Sequence, residues 1–224
     1  AGDMDGDGDL DLITADTGSN GHLLYLNNAR AGFAVKRIVG MAPGDASCVA
    51  VGDLDGDGDL DVVFGSKDEA AQVYVNDGKG NFTPGASLGD DGNNYTSVAI
   101  GDLDGDGDFD LVFGGMAGEV VVYVNDGSAQ FSADASWDEP GNVITRVVLG
   151  YFDDNDTLDI VTGVSTGSNA IYLNEDSLSF SDAHFFGPED PTTKGLAVAD
   201  FDDNERLDLV VGNFDAPSVL YMNF

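Results

Sequence analysis

Short apolar runs alternate along the whole chain with stretches rich in Gly, Asn and Asp, and the length of the runs decides what they form. Leu10-Asp-Leu-Ile-Thr14, Leu60-Asp-Val-Val-Phe64 and Phe109-Asp-Leu-Val-Phe113 are β-rich, are closed by Gly or Ala, and are too short for helices. No segment carries a persuasive 3.6-residue apolar period. Between residues 97 and 137 the pattern predicts four strands, at Ser97 to Ile100, Asp110 to Phe113, Val120 to Val124 and Phe131 to Trp137. Gly114-Gly115, like Gly65-Ser66 one unit earlier, separates the second strand from the third. Asp126-Gly127, like Asp77-Gly78, predicts a tight hairpin between the third and the fourth.

The stretch joining the first two strands of each group is the most regular part of the chain. Asp53-Leu-Asp-Gly-Asp-Gly-Asp-Leu-Asp61 recurs nearly letter for letter at residues 3–11 and 102–110, with altered copies beginning at Tyr151 and Asp200. Their first residues are separated by 50, 49, 49 and 49 positions, a period that marks a repeat architecture. One repeat is one antiparallel sheet whose faces are buried against its neighbours, so the predicted fold is all-β, a β-propeller of about five four-stranded blades. Residues 1–224 read as a single domain with units near 1–46, 47–95, 96–143, 144–193 and 194–224. Eighteen strands are expected, because the first and last units read as three strands each. Incomplete terminal blades predict self-association or strand completion by other polypeptide near residues 1–15 or 212–224.

The spacing inside the loops is that of a calcium site. Side-chain oxygens at positions 1, 3 and 5, a main-chain carbonyl at 7 and a carboxylate at 9 wrap one hard cation, and glycine at position 6 permits the turn. Magnesium fits less well because it keeps its own waters. The expected donors are Asp3, Asp5, Asp7, the carbonyl of Asp9 and Asp11 in the first loop. They are Asp53, Asp55, Asp57, the carbonyl of Asp59 and Asp61 in the second, and Asp102, Asp104, Asp106, the carbonyl of Asp108 and Asp110 in the third. The absence of flanking helices and of a Glu at position 12 distinguishes these loops from EF-hands. The fourth loop has Tyr151 at position 1 and Asp156 at position 6, leaving Asp153, Asn155, the carbonyl of Thr157 and Asp159. The fifth keeps Asp200, Asp202, Asn204, the carbonyl of Arg206 and Asp208, with Glu205 in place of the glycine. Three calcium ions are expected, and up to five, with the fifth loop ranking above the fourth.

Composition narrows the partners. Acidic residues number 42 against 8 basic ones, a net charge of −34, and five calcium ions would leave −24. Nucleic acid is not expected as a partner on that charge, and the excess points to a salty or calcium-rich medium. The single Cys48 forms no disulfide within the chain. No apolar run approaches the ~18 residues of a membrane-spanning helix, so a soluble chain with no membrane insertion and no targeting segment of its own is expected.

Gly-Asp-Leu-Asp-Gly-Asp-Gly-Asp-Leu-Asp followed by Val-Val-Phe-Gly and Val-Tyr-Val-Asn-Asp-Gly resembles the FG-GAP/VCBS repeat of integrin-α-type propellers, bacterial surface proteins and some lectins. The resemblance covers essentially the whole chain. It implies a calcium-stabilised propeller in a secreted or cell-surface adhesion or carbohydrate-binding protein, without fixing the ligand. His22 and His184 stand alone, and no nucleophile is paired with a base, so no enzyme is expected. On the rim opposite the loops, Tyr95, Trp137 and Phe186 are the aromatics expected to stack on a carbohydrate or a surface protein. Two other readings are a structural subunit of an extracellular filament joined by strand completion, and the propeller of a calcium-dependent polysaccharide lyase.

Overall fold

A computed structural model describes residues 1–17, 21–28, 32–33, 35–40, 45–139, 142–176, 178–181, 183–187 and 192–223. Among them, eighteen strands form five antiparallel sheets and no helix. The first sheet has three strands, β1 (Leu12–Thr14), β2 (His22–Leu26) and β3 (Val35–Val39). The second has four, β4 (Ala46–Gly52), β5 (Asp61–Ser66), β6 (Ala71–Asn76) and β7 (Phe82–Leu88). The third consists of β8 (Tyr95–Gly101), β9 (Asp110–Gly115), β10 (Glu119–Asn125) and β11 (Phe131–Asp138). The fourth consists of β12 (Ile144–Gly150), β13 (Asp159–Val164), β14 (Asn169–Tyr172) and β15 (His184–Phe186). The last sheet has three strands, β16 (Thr193–Ala199), β17 (Asp208–Asn213) and β18 (Val219–Tyr221). Neighbours in every sheet are consecutive in the chain, which is what short turns between short strands permit.

Burial follows the residue pattern within each sheet. The second strands β5, β9 and β13 are buried along their whole length, as apolar runs such as Val62-Val-Phe64 require when both faces are covered. The fourth strands β7 and β11 are largely exposed, and they carry Thr, Ser, Gly and Asp between their apolar positions. Glycine closes the second strand for a steric reason: a Cβ on Gly114 would lie 2.4 Å from Ile144 Cγ2, where β12 packs close.

The chain divides into two compact units, residues 1–95 with 125–132, and residues 96–124 with 133–224. In the first, Met4, Leu24, Val39, Val62, Phe64 and Tyr74 form the core. The Phe64 ring stacks on His22 at 3.8 Å and meets Tyr74 edge-on at 5.9 Å. In the second unit, one core gathers Leu103, Val112, Val122, Ile144, Ile160 and Val164, and another gathers Val161, Leu209 and Val211.

Two recurring hydrogen bonds join successive sheets within these units. Register shifts flank Ser47 in β4 and Thr145 in β12, so each sits as a bulge whose hydroxyl is turned toward carbonyls. Thr145 Oγ1 faces the carbonyls of Gly163 at 2.9 Å and Thr193 at 2.7 Å. Ser47 bonds in the same way toward Gly65 and Tyr95, and Thr96 toward Gly114 and Ile144. At the other end of each third strand an Asn reaches back one repeat. Asn76 Nδ2 donates to Met4 O at 2.9 Å, Asn125 to Leu54 O at 2.7 Å, Asn174 to Leu103 O at 2.8 Å and Asn223 to Phe152 O at 3.2 Å.

The hairpins at Asp77-Gly78 and Asp126-Gly127 are longer than predicted. Residues 77–81 and 126–130 form the connections, because Asp77 and Asp126 turn their carboxylates back onto the loop. Asp77 accepts the N–H groups of Lys79 at 3.0 Å and Asn81 at 3.2 Å, and Asp126 accepts that of Ser128 at 3.0 Å.

Candidate metal centre

The acidic loops that begin with Asp are organised by that residue. Asp3 gathers the backbone N–H groups of Gly6 (2.9 Å), Asp7 (3.2 Å) and Gly8 (2.9 Å), and Asp53 gathers those of Gly56 (2.9 Å) and Gly58 (3.0 Å). Asp102 does the same for Gly105 (2.7 Å) and Gly107 (3.1 Å). The chain can curl so tightly because positions 4 and 6 adopt positive φ, +75° at Gly56 and +92° at Gly58 in the second loop.

Position 9 anchors the curl to the sheet. Asp11, Asp61, Asp110, Asp159 and Asp208 are all fully buried. Asp61 accepts the N–H of Leu54 at 2.9 Å on one oxygen and that of Asn76 at 2.8 Å on the other, so it ties the start of the loop to the end of β6. Asp11, Asp159 and Asp208 repeat both bonds.

The loops bring together some of the expected donors and not others. Carboxylate oxygens lie within 4.8 Å of one another in Asp3, Asp5 and Asp11; in Asp53, Asp55 and Asp57; in Asp102, Asp104 and Asp110; and in Asp200, Asp202 and Asp208. Asp7 and Asp106 fall outside those triads, while their Oδ1 atoms accept the N–H groups of Asp9 and Asp108 at 2.9 Å. In the fifth loop the side chain of Asn204 spans from the Arg206 N–H (2.8 Å) to the Asn223 carbonyl (2.8 Å). The fourth loop, with Asp153 and Asp159, forms no such triad among the described residues.

Residues 3–64 and 53–113 each match the FG-GAP-like repeat. The chain belongs to the FG-GAP-like repeat family. Among solved structures, Saccharomyces cerevisiae Sqt1 is similar with a TM-score of 0.54 at 20% identity, over 79% of this chain and 44% of that one. BBS1N, solved in complex with ARL6DN and soaked with lead, is similar with a TM-score of 0.59 at 12% identity, over 94% of this chain and 61% of that one. At those identities the likeness is one of fold alone, and this chain spans less than two thirds of either length. No curated protein matches.

The donor sets of the FG-GAP-like loops suit a hard cation. Asp5 Oδ1 is buried without a hydrogen-bond partner among the described residues, an acceptor in want of positive charge. Burial first, and then the charges of Asp7, Asp11 and Asp3, raise the Asp5 pKa. Asp55 and Asp104 are raised by the same combination of burial and neighbouring carboxylates. Burial pushes Asp61 up to about 6, against the opposing N–H groups of Asn76 and Leu54. A divalent ion among such groups reverses that balance and keeps them ionised. Oxygen-only donors are those that hard divalent cations take.

The predicted aromatic contacts separate. Tyr95 is 1% exposed and its hydroxyl meets Asn93 Nδ2 at 3.1 Å, so its ring belongs to the interior and presents no stacking face. Trp137 lines a pocket of about 500 Å³ with Glu139, Asn142, Tyr172, Phe180 and Phe185. Phe186 lines a different one of about 310 Å³ with Phe152, Leu209 and Tyr221. The β14–β15 connection, which supplies Phe180, lies at the same end of its sheet as the acidic loop, so the first pocket is not confined to the opposite end.

Sequence reasoning passed over Glu139, which is buried in the wall of the Trp137 pocket. Its Oε1 accepts the hydroxyls of Thr162 at 2.8 Å and Tyr172 at 2.6 Å. Burial, reinforced by the Glu139 bond and charge, pushes the Tyr172 phenol well above its ordinary range. The repeat does not mark this pair, because the acidic residue one period before Glu139, Asp90, is exposed.

Proposed function

We propose that the chain forms a calcium-stabilised β-propeller, with each sheet as a blade, and serves as a non-catalytic binding module of an extracellular protein. The observation that carries this reading is the return of a carboxylate triad in four of the five loops. FG-GAP-like membership supports calcium as the ion and an extracellular setting. The loop carboxylates fit structural roles, since those at positions 1 and 9 hold backbone N–H groups as well as joining the triads. The ligand is a carbohydrate or a surface protein, and Trp137, half-buried beside a buried carboxylate, is the proposed contact.

Equilibrium dialysis of the decalcified chain against calcium, followed by metal analysis, tests the proposal. Several equivalents per chain are expected, with one lost in Asp55→Ala. A chain that retains no calcium would overturn the reading. Since Trp137 is the only tryptophan, its fluorescence reports directly on sugars and candidate proteins entering the pocket.

A further inference from the structure

The geometry points to a fourth loop, residues 151–159, that closes without a cation, hydrogen-bond donors of the chain standing where its sister loops present oxygens. This inference rests on the calcium reading of the sister loops. Their backbone supplies the first observation. Positions 4 and 6 have positive φ in the first three loops, at Gly6 and Gly8, Gly56 and Gly58, and Gly105 and Gly107. The fifth loop holds the same turn without glycine, with φ of +59° at Asp203 and +70° at Glu205. Such angles are unfavourable for residues with a Cβ, so that loop retains its curl against local preference. The fourth loop has Asp154 and Asp156 at those positions, and neither takes a positive φ. It follows a different path.

The side chains complete the argument. Asn155 Oδ1 accepts the N–H of Thr157 at 2.9 Å and lies 2.6 Å from its hydroxyl, which fixes the amide orientation. Asn155 Nδ2 consequently donates to Asp153 Oδ2 at 3.1 Å and to the Asn174 carbonyl at 3.0 Å. An N–H thus meets the carboxylate that a cation would need. Tyr151 at position 1 offers no carboxylate, and among the described residues this loop gathers no carboxylate triad. Asp154 already faces a fixed cation, Arg206 of the next loop, at 3.2 Å. Donors have replaced the ion, and the loop keeps its closure when calcium is withdrawn.

The test compares variants of the full chain. After dialysis against calcium, Asp153→Ala is expected to retain as many bound ions as the unaltered chain, whereas Asp55→Ala loses one. Thr157→Val is expected to lower the melting temperature by the same amount in calcium and in chelator. Loss of one ion in Asp153→Ala, or a Thr157→Val penalty confined to calcium, overturns the inference. If Asp55→Ala loses nothing, the calcium reading of the sister loops fails, and the Thr157→Val comparison still decides the fourth loop on its own.

Discussion

At the scale of the residue, aspartates that look alike in sequence have divided into two tasks. Asp61 and its counterparts are buried and accept backbone N–H groups on both sides of a loop, while Asp57 is exposed. Removing Asp61 leaves two buried donors without acceptors, so Asp61→Ala is expected to cost roughly 2–4 kcal/mol even in chelator. Asp57→Ala should stay within about 0.5 kcal/mol under the same conditions. Urea unfolding in chelator measures both, and equal small losses would show that position 9 serves only the metal. His22 makes a separate prediction. Burial lowers its pKa from 6.5, against the pull of Asp16, while its Nδ1 accepts the Asp16 N–H at 3.2 Å. A base whose folded pKa is depressed binds fewer protons in the native state, so its cost is absent above pH 6.5 and grows as pH falls below it. His22→Gln should therefore lose less stability than the unaltered chain between neutral pH and mild acid, as followed by melting curves in calcium. Parallel curves would refute the assignment.

At the scale of the element, strands, period and loops are legible because each rests on local composition: short β-rich runs, Gly at the turns, Asp at alternate positions. The Asn that ends each third strand was legible only as part of a turn signal. Its larger task, donating to a carbonyl 71 or 72 residues earlier, depends on where the preceding sheet lies, which no local pattern contains. Tyr95 misled for the same reason, since an aromatic beside a Gly/Asn-rich connection looks exposed until the neighbouring strands cover it. Tyr172 stands at a position that is tyrosine in all five units, yet its bond to the buried Glu139 emerges only from packing, since Asp90, one repeat before Glu139, is exposed. The Asn contacts give a prediction at this scale. Asn174 donates to Leu103 O and accepts Leu178 N at 3.0 Å, so Asn174→Ala leaves polar groups unmatched on two connections. A loss of about 2 kcal/mol is expected, equal in calcium and in chelator. A loss seen only in calcium would assign Asn174 to the metal site instead of the junction between sheets.

At the scale of the whole molecule, two explanations of the proposed calcium stabilisation make opposite demands on salt. A net charge of −34 opposes compaction everywhere, and four divalent ions would reduce it only to −26. If calcium acted by lowering net charge, 1 M KCl would do better, because it screens exposed charges beyond ~3 Å over the entire surface. The carboxylates of each triad instead lie within 4.8 Å of one another, with Asp11, Asp110 and Asp208 fully buried, where mobile salt screens least. Local neutralisation is therefore the stronger effect. Each site at a hundredfold excess over its dissociation constant adds ~2.7 kcal/mol, so four independent sites add about 11 kcal/mol. For a chain of this size, 1 kcal/mol moves the midpoint by about 2–4 °C, and saturating calcium should raise the melting temperature by at least 20 °C over the chelated protein. Magnesium should recover a minor part of that rise, since it keeps its hydration waters, and 1 M KCl in chelator a few degrees at most. Calorimetry of one preparation under the four conditions decides the matter. A rise in KCl that matches the rise in calcium would mean that bulk repulsion, and not the loops, limits the stability of the fold.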